Sequence, residues 1–204
     1  MRTLVPFDPT NPNTRLSSLL SDDERRAFAA SMLADVLDAI RRAGGTPTVL
    51  ATAPLEADVD APVAVDDRSL SVAVNDALAD ELPTAVVMAD LALATPEAIQ
   101  RLYDADADVV VAPGRGGGTN ALVVRHPEFG VDYHGTSFLD HLAAADAVGA
   151  SVETVDSFRL AVDVDEPADL LDVLVHGNRG AAGWLRDAGF RVAVVDGTPE
   201  VVRD

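Results

Sequence analysis

The chain lacks cysteine and lysine altogether and is poor in aromatic residues, which make up 4% of its 204 positions. Without cysteine there is no disulfide framework, no thiolate metal site and no cysteine nucleophile. Without lysine, all 15 basic residues are arginines; they face 34 acidic residues, for a formal charge of −19. A chain this acidic is a poor non-specific nucleic-acid binder, because phosphate neutralisation needs clustered bases. Long hydrophobic runs are missing too: none reaches the roughly 18 residues that a membrane span requires. The N-terminal stretch Met1-Arg2-Thr3-Leu4-Val5-Pro6 lacks the apolar core of a signal peptide and reads as a first strand. These absences predict a cytoplasmic protein with no nucleic-acid and no membrane partner.

What is present is an aliphatic core. Hydrophobic residues are 48% of the chain, so Ala, Val, Leu and Ile must do the packing. The length predicts one domain over 1–204, with 178–204 as a C-terminal appendage. Two readings of that appendage stand open, a cover over the sheet or a homodimer contact. The arginine-only basic set and the pI of about 4.3 predict adaptation to molar salt. There an acidic surface maintains solubility and the Debye length shrinks to about 3 Å at 1 M, so an acidic protein can still bind nucleotides.

Apolar runs alternate with helical patterns. Strands are expected at 3–6, 48–51, 63–65, 85–88, 108–112, 120–124, 152–155, 159–162 and 192–195, and a polar loop at 11–20. Helices are expected from the capping box Ser21-Asp22-Asp23-Glu24 to Ile40, over 69–82, from Thr95-Pro96, and over 136–148, 167–175 and 181–188. Several strands are continuously apolar. The fold class predicted is α/β, a mostly parallel central sheet with helices on both faces.

Ligands of open α/β sheets bind at the carboxyl ends of strands, so candidate residues are sought just beyond each strand. Asp90 comes directly after a buried strand, a position that suits a Mg²⁺ ligand. Asp163 and Asp165, two residues apart in an extended segment, face the same way and repel unless a cation lies between them. The run Gly114-Arg115-Gly116-Gly117-Gly118-Thr119-Asn120 offers unobstructed backbone N–H groups of the kind that cradle phosphate. Arg15, Arg115, Arg125 and Arg159 stand near these loops as candidate phosphate partners. Packing or hydrogen-bonding roles are expected for His126, His141 and His176. His134 is set apart by its place before Gly135-Thr136-Ser137, where a helix N-terminus favours an anion.

Taken in order, the segments Asn13-Thr14-Arg15-Leu16-Ser17 with Asp23-Glu24-Arg25, Gly117-Gly118-Thr119-Asn120-Ala121-Leu122, Tyr133-His134-Gly135-Thr136-Ser137-Phe138 and Asp163-Val164-Asp165-Glu166-Pro167 resemble the 2-phospho-L-lactate guanylyltransferase family. The likeness spans about residues 1–177. It implies a nucleotide-diphospho-sugar transferase-like fold. It also implies GTP and a small phosphorylated three-carbon acid as partners, with Mg²⁺ as cofactor. Under the resemblance Asp90, Asp163 and Asp165 are metal ligands and, with Arg15, catalytic. Thr14, Arg15 and Asn75 bind the nucleotide. Gly118, Thr119, Asn120, His134 and Ser137 hold the acid. The chain departs from the wider nucleotidyltransferase pattern in having Asn13 where a lysine often stands. Phosphoenolpyruvate or 3-phosphoglycerate as the acid, and a non-catalytic nucleotide-binding module, remain open alternatives.

Overall fold

The computed structural model describes residues 1–55 and 59–204. Its strands are β1 (Arg2–Phe7), β2 (Thr46–Ala51), β3 (Val63–Val65), β4 (Thr84–Val87), β5 (Val109–Pro113), β6 (Thr119–Val124), β7 (Val152–Thr154), β8 (Phe190–Val195) and β9 (Thr198–Arg203). Its helices are α1 (Asp22–Arg42), α2 (Leu70–Asp80), α3 (Pro96–Asp104), α4 (Ser137–Ala147), α5 (Phe158–Ala161), α6 (Asp169–His176) and α7 (Gly180–Asp187).

Seven strands form one sheet in the order β3-β2-β1-β4-β6-β5-β7. All run parallel except β6, which is antiparallel to both of its neighbours. The expected mostly parallel sheet is therefore found. Strand pleating sends alternate residues to opposite faces. Val5, Val49, Val87, Val110 and Val123 pack under α1 and α3, while Leu4, Leu50, Val86, Val111 and Leu122 pack under α2 and α4. The long helix α1 begins on the expected capping box, with the Ser21 amide donating to Glu24 Oε2 at 2.9 Å and the Glu24 amide to Ser21 Oγ at 3.4 Å.

Three expectations need correction. The stretch 159–162 is not a strand; its first three residues lie in α5, where the amides of Leu160 and Ala161 both donate to the Ser157 carbonyl. A four-residue apolar run has no period that separates strand from helix. The polar loop 11–20 contains a 3-10 turn over Thr14–Ser18, pinned by fully buried Leu16. The last strand is one arm of a hairpin, β8–β9, closed by Asp196-Gly197, both at positive φ. That Asp-Gly pair is a hairpin signal the sequence already carried.

The C-terminal segment packs on α1. Asp35 of α1 accepts from the amides of Gly180 and Ala181 at 3.0 and 2.8 Å and so caps α7 across the fold. Phe190, Leu185 and Trp184 join Phe28 and Met32 of α1 and Leu16 of the first loop in one cluster.

Candidate active site

The strand connections turn in opposite directions on either side of β1 and β4, which is where open α/β sheets bind ligands. A cleft of about 180 Å³ opens there, lined by Phe7, Asp8, Asn13, Met88, Asp90 and Asp165. Phe7 also borders a wider groove of about 650 Å³ between α1 and the residues after β2.

The backbone builds one half of this site from three segments. Asp90 lies three residues beyond β4, and its carbonyl accepts from the Val164 amide at 3.2 Å. The Val164 carbonyl in turn accepts from Asn13 Nδ2 at 2.8 Å. The first loop, the Asp90 turn and the Asp163–Asp165 segment are thereby joined at Val164. Asn13 reaches this position with φ 47°, in the left-handed region that Asn tolerates better than most residues.

The carboxylates are held by different means. Asp163 Oδ1 accepts from Asn120 Nδ2 at 3.0 Å, and the same amide group donates to the Leu160 carbonyl at 2.9 Å. Asp165 meets Arg15 Nη1 at 3.4 Å, and Arg15 lies 3.8 Å from Glu166. Asp90 Oδ1 is buried with no hydrogen-bond partner among the described residues. Burial, and then the neighbouring charges of Asp163 and Asp165, push the Asp90 carboxyl up to about 7. Burial and Asp163 also raise Asp165. The structure thus brings the three predicted carboxylates into electrostatic contact. Among the described residues, no three acidic or histidine side chains converge as a ready-made metal centre. Mg²⁺ does not need one, since it takes one or two carboxylates and completes its shell with water and substrate phosphate. An orphaned buried carboxylate oxygen beside two further carboxylates fits such a hard cation.

The other half is formed by the start of β6 and the residues before α4. Because β6 is reversed, its first residues reach the edge where the other strands end. Thr119 and Ser137 are buried: the Thr119 amide donates to Ser137 Oγ at 3.0 Å, and Thr119 Oγ1 lies 2.8 Å from His141 Nδ1. His134 is exposed and pairs with Asp132 at 3.0 Å. Thr14 and Arg15 are exposed beside the carboxylates.

Several expected roles shift. The glycine-rich run is not an open phosphate cradle. Its amides at Gly114, Arg115, Gly117 and Thr119 already donate to Gly118, Ala161, Gly114 and Ser137, leaving Gly116 and Gly118 without such a partner among the described residues. At the N-terminus of α4 the Phe138 amide donates to the Gly117 carbonyl. Arg115 is bound to Asp169 and Asp172 at 2.7 and 2.8 Å. Arg125 holds carbonyls of Ala107 and Tyr103 at the opposite end of β6, and Arg159 that of His176. Asn75 has both ends of its amide engaged by the Val131 backbone, at 2.9 and 2.8 Å.

Four contributors escape sequence reasoning. Asn13 reads there only as an absent lysine. Arg25, almost fully buried, grips the Pro12 carbonyl and Asn11 Oδ1 from beneath the first loop. Asp169 accepts from the amides of Asp165 and Glu166 at 3.0 and 2.7 Å. His141 shares a helical face with buried Ala145, a polar residue on an apolar stripe, and that is its one visible signal.

A family model described as "Guanylyl transferase CofC like" matches residues 1–203. The 2-phospho-L-lactate guanylyltransferase of Halobacterium salinarum is 60% identical over 206 residues, covering 100% of this chain and 99% of that protein. Those of Haloferax volcanii and Halomicrobium mukohataei are 60% and 58% identical, with 100% of this chain covered and 99% and 100% of theirs. Among solved structures, a protein of Desulfovibrio desulfuricans G20 assigned as a nucleotide-diphospho-sugar transferase superposes with TM-score 0.74 at 16% identity, over 91% of this chain and 94% of that one. A hypothetical transferase of Thermus thermophilus gives 0.56 at 17%, over 83% and 100%. These two likenesses are likenesses of fold.

Proposed function

The chain belongs to the guanylyl transferase CofC-like family, and from that premise we propose that it joins GTP to 2-phospho-L-lactate. The products are lactyl-2-diphospho-5′-guanosine and pyrophosphate, a step in the assembly of coenzyme F-420. A phosphate oxygen of the acid forms a bond to the α-phosphorus of GTP. The bond between the α- and β-phosphates breaks, and pyrophosphate leaves. The attacking phosphate is already ionised, so no protein nucleophile or general base is required. The work of the protein is positioning and charge neutralisation.

Asp90, Asp163 and Asp165 are the residues that would hold Mg²⁺, which when bound supplies positive charge facing the phosphates of both substrates. Asn120 orients Asp163, and the Val164 backbone keeps Asp90 and the first loop in register. Thr14 and Arg15 border the nucleotide phosphates, with the exposed Arg15 guanidinium free to exchange Asp165 and Glu166 for phosphate oxygens. Thr119, Ser137 and His134 face the phosphorylated acid. The working environment is a molar-salt cytoplasm, a reading supported by the formal charge of −19 carried without a single lysine.

The observation that carries the catalytic reading is the partnerless buried Oδ1 of Asp90. A fold without use for a cation gains nothing by sealing an acid away beside two others. The test is pyrophosphate release in molar KCl with Mg²⁺ and GTP, across 2-phospho-L-lactate, phosphoenolpyruvate and 3-phosphoglycerate. Release with phospholactate alone is expected. Release with another acid alone reassigns the substrate. GTP binding without release, from folded protein, overturns the catalytic reading in favour of a binding module.

A further inference from the structure

Residues 131–133 precede the acceptor-facing His134, and each of their three successive amides donates to a side chain. Val131 donates to Asn75 Oδ1 at 2.8 Å, Asp132 to His141 Nε2 at 3.0 Å and Tyr133 to Ser71 Oγ at 2.8 Å. Asn75 and Ser71 come from α2, His141 from α4. Of the three, only His141 also touches the other side of the acceptor region, through Thr119 at 2.8 Å. It is 0% exposed and packs edge-on against Tyr133 and Phe129.

These contacts fix where the protons are. A backbone N–H can only donate, so His141 Nε2 accepts from Asp132. Burial holds the ring down to about 4 despite the opposing pull of Asp140 and Asp132, so the ring is neutral at working pH and its one proton sits on Nδ1. Nδ1 therefore donates to Thr119 Oγ1. A hydroxyl that accepts there cannot point its own hydrogen at the same nitrogen. Ser137 Oγ likewise accepts, from the Thr119 amide. Both hydroxyls are left with their hydrogens directed elsewhere, as donors.

We propose that His141 is a positioning residue for the acceptor acid: it sets the Thr119 hydroxyl as a donor toward the acid's anionic group and locks the 131–133 backbone that presents His134. The inference rests on the transferase reading and deepens it. The ring never touches substrate. It acts through Thr119, whose hydrogen bond to an ionised oxygen is worth roughly 10- to 100-fold in affinity.

The ring's two contacts can be separated. His141→Asn keeps a donor near Nδ1 and loses the Asp132 contact; His141→Gln reaches Asp132 and loses Thr119. Steady-state kinetics should show His141→Gln raising KM for the acid by about 10-fold or more, with KM for GTP unchanged. His141→Asn, which leaves the Asp132 amide without its acceptor, should raise the same KM by a smaller factor, about 3-fold. Thr119→Val should match His141→Gln, and the double variant should add nothing further. Equal rises in both substrates' KM, a fall in kcat alone, or additive losses in the double variant would overturn the proposal. A second measurement is independent of turnover. Long-range proton–nitrogen NMR of the wild-type imidazoles should show one buried ring protonated on Nδ1 and still neutral at pH 5; protonation on Nε2 refutes the assignment even if neither variant folds. If wild type releases no pyrophosphate with any acid, the transferase reading fails, and the NMR result still decides the state of His141.

Discussion

The two halves of the site are built on opposite principles. On the β4 side, acids stand together, one buried oxygen has no partner, and Asp90 and Asp165 are both pushed toward protonation. On the β6 side, three consecutive amides are satisfied, and Thr119 links Ser137 to His141 through hydrogen bonds. The first half gathers negative charge with little to neutralise it. The second is held in place by its own hydrogen bonds before any ligand arrives, so it loses little entropy on binding. A site can therefore hold strain where charge must be bound and rigidity where shape must be read.

The contrast is broken most severely at Asp90. Asp90→Asn should lower kcat on the order of 10²-fold or more, as expected for a preorganised electrostatic group. Without metal it should not lower the melting temperature, because the amide removes a buried unpaired charge. Pyrophosphate release and thermal unfolding in EDTA read the two effects separately. A parallel loss of both would place Asp90 with the rigid half.

The next effect is in the pH dependence of stability, where the halves pull in opposite directions. Asp90 sits near 7 in the fold against an ordinary 3.8, so its contribution is full below 3.8 and is lost as pH rises through 7. His141 sits near 4 against 6.5, so its contribution is full above 6.5 and is lost as pH falls through 4. Each spans on the order of 3 kcal/mol, and between pH 4 and 6.5 they offset one another. Relative to wild type in EDTA, Asp90→Asn should show stability rising with pH in that window. His141→Asn should show it falling. Urea unfolding at half-unit pH steps checks both signs.

Asn120 joins the halves, since it follows Thr119 in β6 and holds Asp163. Asn120→Ala should cost about 10-fold in kcat, the value of one charge-assisted hydrogen bond, with a smaller change in KM for the acid. The smallest effect sharpens the comparison from outside. Asp35→Ala removes the cap of α7 and touches neither half. It should cost about 1 kcal/mol in denaturant unfolding and leave kcat unchanged.

The frame of the fold is legible in the sequence because β4, β5 and β6 are apolar on both faces and α1 starts on a complete capping box. The carboxylates are legible because Asp90 lies just beyond a strand, three residues after β4, and Asp163 and Asp165 alternate. What stays hidden is how backbone groups pair at a distance. The amides of the glycine run look free in sequence, but those of Arg115 and Thr119 have partners well outside it, Ala161 and Ser137. Asn75 is expected beside the nucleotide, and nothing local reveals that Val131 engages both ends of its amide. His141 is expected to pack or hydrogen-bond, as it does, but that its partners lie in two separate loops emerges only once β6 runs backwards.

The short connection between β5 and β6 has a consequence for how this chain tolerates change in length. Only Gly114 to Gly118 separate the two strands, and a Cβ at Gly114 would meet Asn120 Oδ1 at 2.5 Å. One added residue would slide Thr119 away from His141 and Asn120 away from Asp163 together, disturbing both halves by a single step. The turn at Asp196-Gly197, exposed at the tip of a two-stranded hairpin, carries no such linkage. Insertions belong there, and a peptide tag or a fused domain placed at that tip leaves the spacing of the catalytic edge intact.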